Sequence, residues 1–534
     1  MRNRGHDLLS NRRRPRAGLV PILLACALSL AVLPAMSLRA TETSNPGMGD
    51  LERAATAIER QFEEMRVGQA AYAVVSGDEQ VTAGHGSASA DTPFVIGSIS
   101  KSVTALAILQ LVDRGLIDLD SPVTDHLDWF TTADPTAPIT VRHLLNQTSG
   151  LSTIDGSRDA FTPEISLEER VRSIEDYGLV SEPGAEFNYS NLNFATLGLI
   201  VQEVSGLDYG EYVEKAIFAP LGMDHTYSEF ALARADGLAQ GTIAIFGFPV
   251  ALRQYEFPGA VPDGHLISTA GDLAEYARFQ MGDGSFEGGR LISVENMALM
   301  HTPAAPSQGG ENLDHYAMGW RTGNIDEQPL VSHDGRSFGY YTNVALLPDR
   351  DAAVVVLMAR NGVMVTGPQT AGLEALMGGS PEVSRSSTIA WVVIDVVAAL
   401  LVLASILFVM RRRRRRRMNP PLAPRRWPAV LQVAAGFTIG AAVVLLAGSM
   451  TGGLDLVTFR LLWALAADVT IVAVAIPVLL IAAGIATLLE HRALRDRYGK
   501  VQSLWRANDC SPMIESDDPH RVFQEGGDLR DSSS

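Results

Sequence analysis

Three long apolar runs near the C-terminus constrain this chain more than any other feature. They cover residues 389–410, 428–450 and 461–489, and a helix needs about 20 apolar residues to cross the hydrocarbon core of a bilayer. Seven consecutive arginines, Arg411–Arg417, follow the first run, and further basic residues follow the third. Because short loops rich in arginine and lysine stay on the cytoplasmic side, we predict three transmembrane helices and a cytoplasmic, disordered tail over 490–534.

The N-terminus predicts the same orientation independently. An apolar run over residues 17–38 follows four arginines, which is the pattern of an export signal. Residues 1–44 are therefore expected to be a signal peptide or an N-terminal anchor. Both signals place residues 45–388 outside the membrane. The chain is expected to be a multi-pass protein of the cell membrane with an extracytoplasmic domain.

The charge of the outer segment excludes several classes of partner. Residues 45–388 contain 46 acidic and 19 basic residues, a net charge of −27, which favours solubility and disfavours polyanions. The arginine run could bind nucleic acid, but directly after a membrane span it is typical of a stop-transfer anchor that contacts anionic lipid. We therefore expect membrane lipid, and no nucleic acid, as a partner.

Neither a disulfide nor a metal site is predicted for the outer segment. The two cysteines, Cys26 and Cys510, lie in the leader and in the tail. No cysteine and histidine cluster has the spacing of a zinc site, and the sequence has no HExxH motif. The outer segment must rely on an apolar core, which a segment of this length can bury, and we expect no cofactor.

Strand-like and helix-like stretches are unevenly distributed over the outer segment. Two strand patterns surround a Gly-Asp turn at Gly77, and apolar runs between turns return from about residue 288 to 360. Helical patterns dominate the sequence between these regions. This distribution predicts an α+β domain over residues 45–378 whose sheet is closed by both ends of the domain. A linker over residues 379–388 follows.

The segment GSISKSVTALAILQLVDRG contains one of only three lysines in the chain, Lys101. Ser98 and Lys101 are three residues apart at the start of a helix, so their side chains lie on one face. The apolar residues that follow predict a buried helix, and burial and the helix dipole both lower the pKa of such a lysine. A neutral lysine can act as the base for a neighbouring serine. Taken alone, the pair would be explained as an N-cap serine and an exposed first-turn lysine.

The surrounding sequence favours the first explanation by resemblance. The stretches TPFVIGSISKSVTALAILQLVDRG, EPGAEFNYSNLNFATLGLIVQEVSG, YAMGW and VSHDGRSFGYYTNVALLPD resemble the β-lactamase-related serine hydrolases. This family includes class C β-lactamases, D-alanyl-D-alanine carboxypeptidases, D-aminopeptidases and certain esterases. The likeness runs in order from about Leu51 to Met377. It implies a β-lactamase and penicillin-binding-protein-like α+β fold, in which helices and a helical subdomain flank an antiparallel sheet.

The resemblance also implies roles for the residues of two motifs. Ser98 is implied as the nucleophile and Lys101 as its base. Tyr189 and Asn191, in YSN, match a second motif in which the tyrosine transfers the proton and the asparagine holds the substrate amide. A lysine ammonium beside Tyr189 would stabilise a phenolate, so we expect the tyrosine pKa to fall from about 10 towards neutrality. Without the other motifs, YSN would be explained as a turn in which Asn191 caps a helix that begins at Leu192.

The third motif, HDG, departs from the class C pattern at one position. His333 stands where class C β-lactamases have a lysine, and Gly335 is expected to remove a side chain that would block the substrate. The backbone N–H groups of Arg336 and Ser98 are implied to form the oxyanion hole. Because histidine titrates near pH 6.5, we expect uncharged esters to be preferred over β-lactams. We also expect activity on carboxylate substrates to rise as the pH falls towards about 6.

The sequence therefore predicts a membrane-anchored, extracytoplasmic serine hydrolase that acts through a Ser98 acyl-enzyme on amide or ester bonds. D-alanyl peptides of the cell wall and small esters are the expected substrates. The alternative is a sensor of β-lactams or wall fragments that is acylated without efficient turnover. A third hypothesis, a transporter with an appended hydrolase, is disfavoured because three spans leave little room for a pathway.

Overall fold

The computed structural model describes residues 49–134, 138–158, 165–245, 248–307, 312–361 and 365–381, with scattered residues beyond these. The described residues form two compact units. The first contains every helix and strand named below, and the second contains helical positions between residues 477 and 504. Ser98 and its neighbours all belong to the first unit.

Helices occupy the middle of the first unit's sequence, and most of the strands lie towards its two ends. The helices are α1 (Asp50–Met65), α2 (Ser100–Asp113), α3 (Val141–Leu145), α4 (Thr153–Arg158), α5 (Leu167–Arg172), α6 (Asn191–Ser205), α7 (Tyr209–Val213), α8 (Phe230–Ala235), α9 (Ala270–Met281), α10 (Val294–Met300) and α11 (Gly367–Leu376). The strands are β1 (Gln69–Ser76), β2 (Glu79–Gly86), β3 (Phe94–Val95), β4 (Thr242–Ile245), β5 (Phe248–Ala251), β6 (Ile267–Ser268), β7 (Ser285–Phe286), β8 (Gly289–Arg290), β9 (Ala305–Pro306), β10 (Leu313–Tyr316), β11 (Arg321–Ile325), β12 (Gln328–Ser337), β13 (Tyr340–Leu347), β14 (Ala352–Met358) and β15 (Arg360–Asn361).

An eight-stranded antiparallel sheet forms the centre of the domain. Its strands lie in the order β2-β1-β14-β13-β12-β11-β10-β9. Strand β1 pairs along its length with β14, so that Ala70 lies opposite Met358. The first and last long strands of the domain are therefore neighbours, and the prediction that both ends of the domain close the sheet is confirmed.

The large sheet is covered on both faces. Side chains alternate along β14, so that Val355 and Leu357 belong to one apolar cluster and Val354 and Val356 to another. The first cluster includes α2, α6 and α9, and the second includes α1 and α11. A strand buried on both faces must be apolar throughout, which explains the continuous run AAVVVLM of β14.

Helix α2 carries the Ser-x-x-Lys segment into the core. Every residue from Ser100 to Leu111 is buried, including Lys101. A helix that packs on all sides has no need of a polar face. The helix is followed by Gly115 in the left-handed conformation, with φ 70°, as is common for the glycine after a helix. The prediction of a buried helix is confirmed.

The predicted transmembrane helices lie largely outside the described residues. Among the helices that the structure does describe, none is long and apolar enough to cross a membrane. The spans over 389–410, 428–450 and 461–489 and the leader over 1–44 stay predictions from the sequence.

Candidate active site

Ser98 lies in a single 3-10 turn, Gly97–Ile99, directly before α2. The turn requires a left-handed residue, and Gly97 has φ 54°. The Ser100 hydroxyl donates to the Gly97 carbonyl at 2.8 Å, which closes the turn. Oγ of Ser98 consequently lies 3.2 Å from Nζ of Lys101. The two residues that the Ser-x-x-Lys spacing pairs are thus in contact.

The amine of Lys101 has three polar neighbours. Its Nζ lies 2.8 Å from Oδ1 of Asn191, hydrogen-bonds to the backbone carbonyl of Asp263, and lies 3.2 Å from Oγ of Ser98. A neutral amine has two N–H donors and one lone pair. The oxygens of Asn191 and Asp263 can only accept, so they take both donors. The lone pair is left for the hydroxyl proton of Ser98, which is the arrangement of a base and its proton source.

Burial makes the neutral amine available near pH 7. Lys101 is fully buried, and desolvation lowers its pKa from 10.5 to about 7. The carboxylate of Asp263 opposes this shift, and the guanidinium groups of Arg170 and Arg321 add to it. The expectation of a lowered pKa for Lys101 is confirmed, with desolvation as its main cause.

Tyr189 and Asn191 reach the amine from one short segment. Ser190 between them has extended backbone angles, φ −128° and ψ 129°, and α6 begins at Asn191. The centre of the Tyr189 ring lies 5.0 Å from Nζ of Lys101, and the phenol is hydrogen-bonded to Ser98. Asn191 is therefore the first residue of its helix and not the N-cap, and its side chain binds Lys101.

The expected fall in the pKa of Tyr189 is wrong. Its pKa is raised well above 10, mainly because burial disfavours the phenolate, and the neighbouring Tyr316 adds to the rise. The expectation assumed an ammonium on Lys101, whereas burial brings the pKa of that amine close to neutrality. At neutral pH, Tyr189 is a phenol that can donate a hydrogen bond, and Lys101 is the better base.

Strand β12 approaches the Ser98 turn closely at Gly335. A Cβ atom on Gly335 would lie 1.9 Å from the Ile96 carbonyl oxygen and 3.2 Å from the Ser98 nitrogen. A Cβ atom on Gly97 would lie 2.5 Å from the Arg336 nitrogen. The backbone nitrogens of Ser98 and Arg336 thus lie at the same contact, and their role as an oxyanion hole stays a prediction. Gly335 allows this backbone approach, whereas the sequence analysis had assigned it to substrate access.

His333 is buried with its ring in a defined tautomer. Its Nδ1 lies 2.7 Å from the carbonyl oxygen of Asp334. Because a carbonyl oxygen only accepts, the ring proton is on Nδ1 and Nε2 keeps its lone pair. Nε2 is buried and has no partner among the described residues. Desolvation, with help from the charge of Arg321, lowers the pKa of His333 to about 3.

The expectation that His333 titrates near pH 6.5 is therefore wrong. Its imidazole stays neutral at pH 6, so it cannot make activity on carboxylates rise towards that pH. Its only N–H donates to Asp334, so Nε2 can accept a hydrogen bond but cannot donate one to a substrate carbonyl. The physical reason is a dry position close to two cations, Arg321 and Lys101, which both disfavour an imidazolium.

The permanent positive charge of the site comes from Arg321, which none of the motifs indicated. The residue begins β11, directly after YAMGW. Its guanidinium carbon lies 5.6 Å from the ring centre of Tyr189 and 5.7 Å from that of Tyr316. Nη1 donates to the Ser307 hydroxyl at 3.2 Å, and Nε is buried with no partner within the described ranges. No carboxylate of the described residues forms an ion pair with it.

The predicted site residues meet in one place. Ser98, Lys101, Tyr189 and Asn191 contact one another, and the segment from His333 to Arg336 borders the same turn. Their individual roles stay predictions. In the part of the chain that the structure describes, no three histidine, cysteine, aspartate or glutamate side chains could together hold a metal ion.

Comparison with known proteins decides the family. A family model described as Beta-lactamase matches residues 54–377. The chain belongs to the beta-lactamase family. This is the family of serine hydrolases that the three motifs resemble, and the α+β fold implied by the resemblance is the fold observed.

Several proteins are similar to this beta-lactamase-family chain. Protein flp of Staphylococcus aureus is 30% identical over 281 residues, which cover 52% of this chain and 55% of that protein. Penicillin-binding protein 4 of Amycolatopsis lactamdurans is 30% identical over 298 residues, which cover 54% of this chain and 77% of that protein. The octameric penicillin-binding protein homologue from Pyrococcus abyssi is 28% identical with a TM-score of 0.56, and the match covers 62% of this chain and 79% of that chain. The chain thus spans about half the length of the flp proteins that it matches.

Three residues of this beta-lactamase-family site lie outside the motifs of the sequence. Arg321 could have been found as an arginine directly after YAMGW, within the region of resemblance. Asp263 contacts Lys101 across 162 positions of sequence, and the turn-forming PDGH around it is its only local signal. Arg170 lies on α5 among other charged residues, and its sequence context does not distinguish it.

Proposed function

We propose that residues 45–378 hydrolyse amide or ester bonds of small substrates through an acyl-enzyme on Ser98. The observation that carries this proposal is the hydrogen bonding of Lys101. Both of its N–H donors face oxygens that can only accept, and its lone pair faces Oγ of Ser98. A pKa of about 7 leaves much of this amine neutral at pH 7, which suits a general base.

The proposed reaction begins at Ser98. Its Oγ bonds to the substrate carbonyl carbon while its proton passes to Nζ of Lys101, and the carbonyl electron pair moves onto oxygen. The N–H groups of Ser98 and Arg336 stabilise that oxyanion. Tyr189 gives its phenol proton to the departing amine or alcohol and takes one from the Lys101 ammonium. A water molecule then attacks the carbonyl carbon of the Ser98 ester and gives a proton to the regenerated amine. The bond between that carbon and Oγ breaks, and Lys101 returns the proton to Oγ of Ser98.

Arg321 supports a substrate with a carboxylate close to the scissile bond. Arginine is a permanent cation, and this one lies beside Tyr189 with no carboxylate partner among the described residues. In an outer segment with a net charge of −27, a cation at the reactive residues that has no carboxylate partner in the described part of the chain favours an anionic group of the substrate. D-alanyl peptides end in a carboxylate. They fit Arg321 better than uncharged esters do, which reverses the preference expected from His333.

We also propose that the chain is anchored in the cell membrane with this domain outside. The export-signal pattern and the arginine-rich loops support this topology. A cysteine introduced by Ser380→Cys should react with an impermeant thiol reagent on intact cells, whereas Cys510 should not. Labelling of Cys510 on intact cells would overturn the topology without affecting the proposed chemistry.

The experiment is a labelling and turnover assay on the full-length chain in detergent. A fluorophosphonate probe should label the wild-type protein and the control Ser157→Ala, whose serine is partly exposed on α4, but not Ser98→Ala. Turnover is then measured on a D-alanyl dipeptide, a p-nitrophenyl ester and nitrocefin. Steady hydrolysis supports the enzyme, and a stoichiometric burst without turnover supports the sensor. Equal labelling of Ser98→Ala and wild type would remove the proposal.

A further inference from the structure

Arg170 and Asp263 form a buried ion pair next to the amine of Lys101. Their side chains are 0% and 2% exposed. Nη1 of Arg170 lies 2.5 Å from Oδ1 of Asp263 and donates to the Gly259 carbonyl at 2.7 Å. Taking two charges out of water costs free energy that their attraction often does not recover. Fold stability alone is therefore a weak reason for this arrangement.

The ion pair holds an irregular turn, Val261–His265, against α2. The carboxylate of Asp263 in this turn is bound by Arg170, which comes from α5. The carbonyl that precedes Asp263 accepts from the Thr104 hydroxyl at 2.6 Å, and the carbonyl of Asp263 itself accepts from Lys101. Two successive carbonyls of the turn thus bind α2 one helical turn apart, and the ion pair ties the same turn to α5.

Asp263 influences Lys101 in two ways. Its carbonyl accepts one of the two N–H donors of the amine, which leaves the lone pair directed at Ser98. Its carboxylate raises the pKa of Lys101, whereas Arg170 lowers it. Because the two charged groups are paired at 2.5 Å, their influences on the amine oppose each other and desolvation dominates.

Other charged and titratable groups face Lys101 from the remaining elements. Arg321 of β11 lowers the pKa of Lys101, and Asp334 of β12 raises it. Three further neighbours are uncharged at pH 7, because burial disfavours their ionised forms: Tyr189, His265 and His333. Among the described charged groups, Asp263 alone belongs to a residue that also hydrogen-bonds to the amine.

We infer that Arg170 and Asp263 are positioning residues for Lys101: the ion pair fixes the Asp263 carbonyl that accepts an N–H of the amine, and it does so without adding net charge. A lone aspartate here would favour the ammonium, and a lone arginine would leave a buried charge without a partner. The ion pair avoids both a stabilised ammonium on Lys101 and a buried charge without a partner. The inference rests on the proposed function, because it takes Lys101 as the base for Ser98.

The test measures the rate of fluorophosphonate labelling of the full-length protein against pH. Asp263→Asn removes the negative charge and keeps the backbone carbonyl, so the pH of half-maximal rate should fall by about one unit. Arg170→Met leaves the aspartate alone, so the same midpoint should rise by about one unit. A general loss of stability would not shift the midpoints of the two variants in opposite directions.

The double variant Arg170→Met/Asp263→Asn covers the case in which a single variant does not fold, because removing both partners of a buried pair is tolerated better than removing one. Its midpoint should stay near the wild-type value. Its labelling rate should fall by about tenfold or more, because the carbonyl is no longer fixed. The exposed pair of Arg142 and Asp120 gives the matched control: Arg142→Met/Asp120→Asn should change neither quantity.

The inference is overturned if both single variants keep the wild-type midpoint or shift it in the same direction. It is also overturned if the double variant is labelled at the wild-type rate, and this result decides alone when the single variants do not fold. A wild-type protein that is not labelled at Ser98 contradicts the proposed function itself and is thereby distinguishable from a failure of the ion-pair role.

Discussion

At the scale of single residues, the buried amine of Lys101 determines how the site responds to pH. Its pKa is about 7. Below that pH Lys101 is mainly an ammonium, which cannot accept the Ser98 proton, and above it Lys101 is mainly an amine, which can. Tyr189 stays protonated far above that range, because its pKa is raised well above 10. His333 stays neutral down to about pH 3. The site should therefore show one titration, on the acidic side.

We predict that kcat/KM for an uncharged p-nitrophenyl ester rises about tenfold per pH unit below pH 7 and levels off by about pH 8. The rise reflects deprotonation of Lys101, whose pKa is lowered to about 7. Initial rates in overlapping buffers from about pH 5 to about pH 9 measure the profile. A profile without an acidic limb would contradict the assignment of Lys101 as the base.

Replacing Lys101 by arginine should abolish most of the activity. Arginine remains protonated at any relevant pH and cannot accept the Ser98 proton, so kcat/KM should fall by about 100- to 10,000-fold. The control is Lys215→Arg, since Lys215 is exposed and paired with Glu211. If Lys101→Arg retained near wild-type turnover, the assignment of Lys101 as the base would be wrong.

Arg321→Gln should separate carboxylate from neutral substrates. Loss of a charged hydrogen-bond donor costs about 1.5–3 kcal/mol, so kcat/KM for a D-alanyl dipeptide should fall about 10- to 100-fold. The neutral ester should lose far less. Both are compared at about pH 9, because Arg321 also lowers the pKa of Lys101. Arg321→Lys keeps the charge and serves as the control, and an equal loss on both substrates would argue against a carboxylate site.

Local motifs predicted the reacting residues but not the residues that hydrogen-bond to them from distant parts of the sequence. Ser98 and Lys101 are three positions apart on one helix face, so their contact follows from local geometry. The contact of Lys101 with Asp263 spans 162 positions, and only the folded chain brings the two together. Protonation states were also mispredicted for Tyr189 and His333, because a pKa in a dry site depends on burial that sequence does not reveal.

At the scale of elements, the site depends on a backbone contact between β12 and the turn before α2. The sequence predicted a buried helix after Ser98 and strands between about residues 288 and 360, because a long apolar run marks the helix and turns separate the strands. It did not predict how closely they approach. That distance is set by tertiary packing. The only sign of it in the sequence is that residue 335 is a glycine, which has no side chain to prevent the approach.

We predict that Gly335→Ala lowers kcat about 100-fold, because the new Cβ would lie 1.9 Å from the Ile96 carbonyl and must push the Ser98 turn away. The matched control is Gly178→Ala, where a Cβ meets nothing within 4 Å. Kinetics on the neutral ester and thermal unfolding are measured for both variants. A Gly335→Ala protein with wild-type kcat would show that the turn and the strand are not coupled.

At the scale of the whole molecule, buried histidines should limit stability in acid. Burial lowers the pKa of His265 to about 4 and that of His333 to about 3, from about 6.5 in the unfolded chain. Between these values the unfolded chain binds protons that the folded chain does not. Unfolding is therefore favoured as the pH falls below about 6.5, by up to about 1.4 kcal/mol per pH unit for each histidine.

His265→Phe should flatten this dependence. Phenylalanine suits a site that already packs against the ring of Phe257, 4.8 Å away, and it does not titrate. Urea unfolding followed by tryptophan fluorescence at several pH values between about 6.5 and about 4.5 gives the slope for each protein. The slope should be shallower in the variant by about 1.4 kcal/mol per pH unit. Identical slopes would mean that His265 is not kept neutral by the fold.

The general architecture followed from the sequence, but the order of strands in the sheet did not. Strand patterns at both ends and helices between them were enough to predict an α+β domain closed by its two ends. Which strand pairs with which depends on surfaces that form only on folding. The short strands β9 and β10, at the edge of the sheet, have too little periodicity to be placed from sequence.

The pairing of β1 with β14 delays completion of the sheet until late in synthesis of the chain. Ala70 cannot meet Met358 until the ribosome has made almost 300 further residues, which takes roughly 15–60 s at usual elongation rates. During that interval the apolar strand QAAYAVVS has only its hairpin neighbour β2 and otherwise presents an open edge that invites aggregation. A nascent chain of this kind gains from a chaperone that covers this edge until the central strands of the sheet have been made.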